Sequence, residues 1–245
     1  YVQYVEFVLN AVKGDFGESL RTREDALSVV LARIPATFQL AFSALGLSVL
    51  IAIPIGIISA YKRNTIYDQI GVAFTVLGQA IPSFWLGLIL IYIFAVSLNL
   101  LPSGGGGSLL HMILPMITLA AYSVARFARF TRSTMLDVLR KDYIRTAKAS
   151  GVPVFRVLYR YALKNSLIPI ITLVALDLGV LLGGAVITEV VFSWPGIGRL
   201  MMQSLLNRDF PIVLAGVFLI AVIYSLINFI TDLLYAYVNP QIRVK

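Results

Sequence analysis

The chain has no cysteine, a single histidine and two tryptophans, and only 13% of its residues are charged. Without thiols there can be no disulfide and no thiolate metal site. His111 alone would leave a metal ion to carboxylates, so neither a metal site nor a cofactor bound by this chain is expected. Nucleotide-handling and hydrolytic motifs are missing too. There is no G-x-x-x-x-G-K-[ST] run to cradle ATP phosphates, no H-E-x-x-H and no G-x-S-x-G. Ser–His chemistry would have to use His111, which has no evident orienting carboxylate nearby. The sequence reads as a non-enzyme.

Charge is also absent over long distances, and this is the chain's main positive signal. Hydrophobic residues make up 59% of it and mean hydropathy is +0.88, well beyond a soluble domain. Ile34–Tyr61, Ile70–Ala125 and Phe210–Thr231 carry no charge, and each exceeds the ~20 residues a helix needs to cross a bilayer. Pro102 and Gly104–Gly107 divide the middle run, and Ser166–Thr188 is apolar except for Asp177. The expected spans are Ala36–Ala60, Ile70–Leu98, His111–Thr131, Ser166–Thr188 and Pro211–Leu233, which makes an all-α integral membrane protein. Pro54 with Gly56 predicts a kink in the first, and Gly78 and Pro82 interrupt the second; such breakers are tolerable where neighbours re-satisfy the backbone.

The charges that remain are unevenly placed. Lys62, Arg63, ten Lys/Arg between Arg126 and Lys164, and Arg243 and Lys245 share one side with Asp68, Asp137 and Asp142, a net +11. The other side holds six basic and seven acidic residues, leaving Asp177 and Asp232 within or near helix ends. Positive charge collects on the cytoplasmic side, so the 133–164 loop and the C-terminus are expected there. The basic balance is thereby explained by topology, and nucleic acid is not an expected partner. Five spans with an internal C-terminus put Tyr1 outside, and residues 1–33 hold neither a span nor a signal peptide. That predicts one further helix upstream, six in all. Residues 1–33 read as an external segment, and 191–210 as a second one containing a short amphipathic helix.

Asp142-Tyr143-Ile144-Arg145-Thr146-Ala147-Lys148-Ala149-Ser150-Gly151 is a polar, basic stretch between apolar runs. Gly151 and Pro153 predict two short helices at an angle. Small residues at Ala147, Ala149 and Gly151 would permit close approach of a soluble subunit; the plainer reading is a basic loop held at anionic headgroups. Interleaving with Val152, Val154 and Phe155 favours docking.

Asp142–Gly151, Arg156-Val157-Leu158 and Ala162–Pro169 resemble the cytoplasmic loop of ABC-importer permeases, of the dipeptide/oligopeptide/nickel branch. Thr188–Arg199 resembles that branch's signature, as do Gly14–Ser19, Arg33–Thr37, Arg208–Pro211, Asp232–Tyr235 and Asn239–Arg243. The likeness runs through the whole chain in order. One departure is that Arg145-Thr146-Ala147 stands where the general importer loop has Glu-Ala-Ala. The resemblance implies a permease domain over 34–245 that carries di- or oligopeptides, with glutathione, nickel chelates and oligosaccharides as alternatives. It implies a second permease subunit (a paralogue), two ATPases that hold ATP and Mg, and an extracytoplasmic binding protein, in a bacterial or archaeal inner membrane. Asp142, Tyr143, Arg145, Thr146, Ala147, Lys148, Ala149 and Gly151 would carry the coupling to the ATPases.

A carboxylate in mid-span costs roughly 2.5–3.5 kcal/mol on translocon scales, so Asp177 should face a wet path or a partner. It is either a translocation-path residue attracting a peptide ammonium group or a structural acid at the interface with the second permease. Glu189 and Trp194 sit on the expected binding-protein side, with loop bracing and an aromatic-belt position as plainer roles. A different class stays open, namely a stand-alone channel or ion-coupled transporter using Asp177. A scaffold without transport would leave Asp177 unexplained.

Overall fold

The computed structural model describes residues 1–238, with side chains throughout that range except at 2–4, 6, 7, 184, 232 and 234–238. Asn239–Arg243 and the C-terminal charges Arg243 and Lys245 lie outside the described residues, as does the C-terminus whose side was inferred from them. The described chain is helical, and its single β-bridge pairs Glu18 with Asp25.

An N-terminal helix, α1 (Val2–Val12), leads into a turn region where Gly14, Gly17 and Arg23 have positive φ. Asp25 then caps α2 (Ala26–Leu31), accepting from Ser28 N at 2.8 Å. The first long helix, α3 (Ile34–Tyr61), starts with Pro35 in its opening turn and holds Pro54 within it. It packs closely along α6 (Leu109–Leu139). A Cβ at Gly56 would stand 2.6 Å from Thr131 Cβ and 2.8 Å from the Ala128 carbonyl. Glycine at that site lets two backbones approach as small residues do between membrane helices.

The expected second span is not one rod. α4 (Ile66–Ala80) and the helix formed by α5 (Ser83–Leu90) with the π-helical Ile91–Ser97 meet at 101°. Pro82 supplies no N–H to α4's last turn, and Ile81 and Pro82 are extended. Four helices are long and apolar enough to cross a membrane, or five if this bent pair counts as one span. The five-span reading therefore holds in this form, with the interruption expected at Pro82 turning the chain through 101°.

The third and fourth spans extend beyond their expected ends. α6 does not stop near Thr131 but continues to Leu139. After α7 (Asp142–Ala149) comes a helix that begins at Val154 instead of Ser166. It runs through α8 (Val154–Arg156), a π segment (Val157–Leu163) and α9 (Lys164–Val191) without a gap. The expected 133–164 loop is thus mostly helix, and its non-helical parts are Arg140–Lys141 and 150–153. α10 (Ile197–Leu206) and α11 (Phe210–Val238) complete the chain.

Three clusters of buried side chains hold this together. Leu40, Ala44, Val124, Phe127, Leu181 and Trp194 form the central one. Ile57, Met135, Ile144, Val157 and Ala162 form another at the basic end. At the opposite end, Ala11, Phe16, Ala26 and Val30 pack with Ile197, Ile212 and Ala215. The last cluster brings the two segments expected outside, 1–33 and 191–210, onto one end of the bundle. A polar tie reinforces it, since Ser19 Oγ donates to Asp209 Oδ2 at 2.6 Å and Leu20 N to Oδ1 at 3.1 Å.

Candidate functional site

The segment 142–151 folds as one short amphipathic helix with a defined stop. Ile144 and Ala147, three residues apart, are buried in the basic-end cluster, while Asp142, Tyr143, Arg145, Thr146, Lys148 and Ala149 are exposed. That spacing places the two apolar residues on one face and the polar ones on the other. Ala147 is therefore corrected from the docking set, because its side chain faces the protein and anchors the helix.

Helix α7 ends in a Schellman motif. Val152 N donates to the Ala147 carbonyl at 3.1 Å and Gly151 N to the Lys148 carbonyl at 3.1 Å, with Gly151 at φ +74. Nothing lies within 4 Å of a Cβ built on Gly151. Glycine is required there by backbone conformation and not by the close approach of a partner atom within this chain. Tyr143 Oη accepts from Asn165 Nδ2 at 3.1 Å, tying α7 to α9. An exposed ion pair joins Arg145 to Asp142 at 3.7 Å.

Behind this helix, two buried carboxylates tie the long helices together. Asp68 accepts from Ser59 Oγ at 2.5 Å, from Arg132 Nε at 2.6 Å and Nη2 at 2.8 Å, and from Asn64 N at 3.0 Å. It unites α3, α4 and α6 through a bidentate guanidinium contact. From the sequence, Asp68 is only one of three acids on the basic side. An Arg–Asp pair 64 residues apart leaves no local trace in the sequence.

Asp177 has the same kind of environment deeper in the bundle. It is 0% exposed, takes a hydrogen bond from Ser123 Oγ at 2.5 Å, and pairs with Arg126 Nη1 at 2.6 Å. The structure corrects its expected surroundings. Its carboxylate has its charge partner within this chain, on α6, and is turned to neither an open cavity nor a subunit surface. Membrane-buried acids usually pair in this way. The ion-coupled alternative drew on Asp177 as an uncommitted ionisable group, and the Arg126 pair occupies that group.

Glu189 and Trp194 are likewise buried, at 0% and 4% exposure, so neither presents its side chain to a docking protein. Glu189 receives Thr37 Oγ1 at 2.7 Å and Arg199 N at 3.1 Å, and Thr37 Oγ1 in turn accepts from Ile197 N at 2.9 Å. A carboxylate and a hydroxyl thus satisfy the free N–H groups at the start of α10 and lock it to α3 and α9. Arg199 Nη1 donates to the Ser193 carbonyl. Trp194 Nε1 donates to the Ala36 carbonyl at 2.9 Å from within the central cluster. Its aromatic-belt role is replaced by a core one. His111 Nδ1 contacts Ser108 Oγ at 2.9 Å, and no group of three potential metal ligands occurs among the described residues.

These geometries accompany consistent likenesses to known proteins. The family described as binding-protein-dependent transport system inner membrane component matches residues 52–244. The di/tripeptide transport system permease protein DppB of Pseudomonas aeruginosa is 40% identical over 99% of this chain and 81% of its own length. The glutathione transport system permease protein GsiC of Pectobacterium atrosepticum is 42% identical over 99% of this chain and 79% of its own. Among solved structures, the MetNI methionine ABC transporter in an inward-facing conformation superposes with a TM-score of 0.72 at 17% identity, over 86% of this chain and 96% of that one. An amino acid ABC transporter gives 0.68 at 15%, over 86% and 94%. Those two structures show the fold alone; the family match and the sequence relatives show membership. The chain belongs to the inner-membrane permease subunits of binding-protein-dependent ABC importers, in their peptide family.

Proposed function

We propose that this permease carries di- or tripeptides, glutathione among them, and that the exposed face of α7 transmits ATPase movement into the bundle. The substrate reading is supported by the two relatives that align over nearly the whole chain, one a di/tripeptide and one a glutathione permease. The coupling reading rests on one observation: a short helix pinned by Ile144 and Ala147 shows Asp142, Tyr143, Arg145, Thr146, Lys148 and Ala149 to solvent. A helix held from below and polar above suits a groove on a soluble partner. ATP and Mg would be held by two ATPase subunits, a paralogous permease would complete the path, and α7 and the C-terminus would face the cytoplasm. The binding protein would deliver substrate at the end formed by α1, α2 and α10.

The test is uptake of labelled dialanine, glutathione and a tetrapeptide into cells whose only peptide importer is the complex containing this permease. In the same strain, Lys148→Cys is cross-linked to single-cysteine ATPase variants. Uptake of the small peptides with a Lys148→Cys cross-link to the ATPase supports both parts. Failure of all three peptides to enter rejects the substrate reading, and absence of any cross-link in an assembled complex rejects the coupling one.

A further inference from the structure

The 101° break between α4 and α5 interrupts the helical hydrogen bonding inside a pair of helices that together are long and apolar enough to form one span. Gly78, Gln79 and Ala80 carbonyls lose their continuing helix. Ser83, Phe84 and Trp85 begin the next one, and the first helical N–H bond there comes from Leu86 to the Pro82 carbonyl at 3.1 Å. Irregular backbone at membrane depth is tolerated only when it is buried in protein or lines a wet cavity. A cavity of about 310 Å³ does lie against this break, at the lower end of ligand-sized sites. Its wall includes Gln79, Ser83, Thr118, Tyr122 and Ser123, with Leu86, Leu119 and Val180 supplying apolar area.

A second observation points to an occupant. Gln79 Nε2 and Thr118 Oγ1 are buried without any hydrogen-bond partner, and Thr118 is only 2% exposed. Buried polar atoms are otherwise almost always paired, and here two orphans belong to the wall of one cavity. The wall has no acidic residue. The nearby Asp177 carboxylate already accepts from Ser123 and pairs with Arg126. What remains is a donor-rich corner: an α5 N-terminus with its positive partial charge, an amide NH₂ and a hydroxyl. Discontinuous membrane helices near mid-depth present this kind of end to anionic groups of a substrate.

We infer that this cavity is a subsite for a carboxylate of the translocated peptide, held by α5's first N–H groups with Gln79 and Thr118, while Leu86, Leu119 and Val180 receive an adjacent apolar side chain. The inference rests on the peptide-import reading. It places a translocation-path site at the broken second span, for the peptide's carboxylate rather than the ammonium group that Asp177 had been expected to attract.

The absence of cysteine makes the test direct. Ser83→Cys, in the assembled complex with a cysteine-free partner permease and ATPases, is labelled with a small methanethiosulfonate reagent in the absence of binding protein. Dialanine, its C-terminal amide and S-methylglutathione, which has no thiol to consume the reagent, are titrated as protectants; Ala121→Cys on the same wall repeats the measurement if Ser83→Cys does not assemble. The expected result is labelling that free-acid peptides slow and dialanine amide does not. Thr118→Val should raise the protecting concentration about tenfold, the loss of one hydrogen bond to a charged group. Equal protection by acid and amide, no protection by either, or a thiol that the reagent never reaches would each overturn the subsite. Uptake of peptides by the same complex, measured in parallel, separates that outcome from failure of the peptide-import reading.

Discussion

Removing the two members of the Arg126–Asp177 pair should have unequal consequences, and the inequality follows from their exposure. The Asp177 side chain is 0% exposed and that of Arg126 is 32% exposed. With Arg126→Met, the carboxylate stays buried and keeps only the Ser123 hydroxyl, 2.5 Å away. Breaking a buried pair from that side costs about 3–5 kcal/mol. With Asp177→Asn, the side chain keeps its shape and an acceptor for Ser123, while Arg126 can turn its partly exposed guanidinium to solvent, for a cost of about 1–2 kcal/mol. The double variant removes the stranded charge and should be more stable than Arg126→Met alone. Denaturant titration of the purified complex, followed by tryptophan fluorescence, would give the three values. Equal losses from the single variants, or a double variant at the sum of both, would refute the claim that the pair is closed within this chain.

At Gly151 the left-handed backbone sets the expectation. Gly151→Val should slow uptake while ATP hydrolysis continues, and Gly151→Asn, which tolerates positive φ, should be milder; transport and ATPase rates in proteoliposomes decide it, and equal effects would count against a conformational cause. Gly56→Ala should destabilise the bundle by about 1–3 kcal/mol, because the new Cβ meets Thr131 and the Ala128 carbonyl. Thermal unfolding in detergent reads this directly. Trp194→Phe should cost about 1 kcal/mol through the lost bond to Ala36, against about 3–5 kcal/mol for Trp194→Ala. A surface tryptophan would show neither loss on unfolding.

Much of the fold was legible because hydropathy and proline report locally. The uncharged runs located the spans, and the polar stretch 142–151 became one helix with its glycine at the stop. What the sequence could not report were distances across the chain. Asp177 finds its base 51 residues upstream, and Glu189 meets Thr37 across 152 residues. Trp194 looked interfacial because an isolated aromatic near a span end has no stated neighbours; its ring enters the core only once α3 and α9 converge. Gly78 and Pro82 marked an interruption, but residue identities carry no angle, and the 101° bend is read only from the structure. Ala147 was counted with its polar neighbours for its small size, yet its spacing from Ile144 already placed the two on one helix face.

The unbroken helix from Val154 to Val191 starts three residues after Gly151 and ends beside the Glu189–Thr37 brace. At about 1.5 Å per residue it is roughly 55 Å long. Pro169 and the π segment lie within it, and if it moves as one body it works as a lever. A tilt of about 5° around its middle carries each end through roughly 2.5 Å in opposite directions, enough to part side chains in van der Waals contact. Because α10 is locked to its far end, motion imposed at α7 would reach the opposite surface as displacement of a whole packed unit. No chain of small side-chain shifts is needed to carry it.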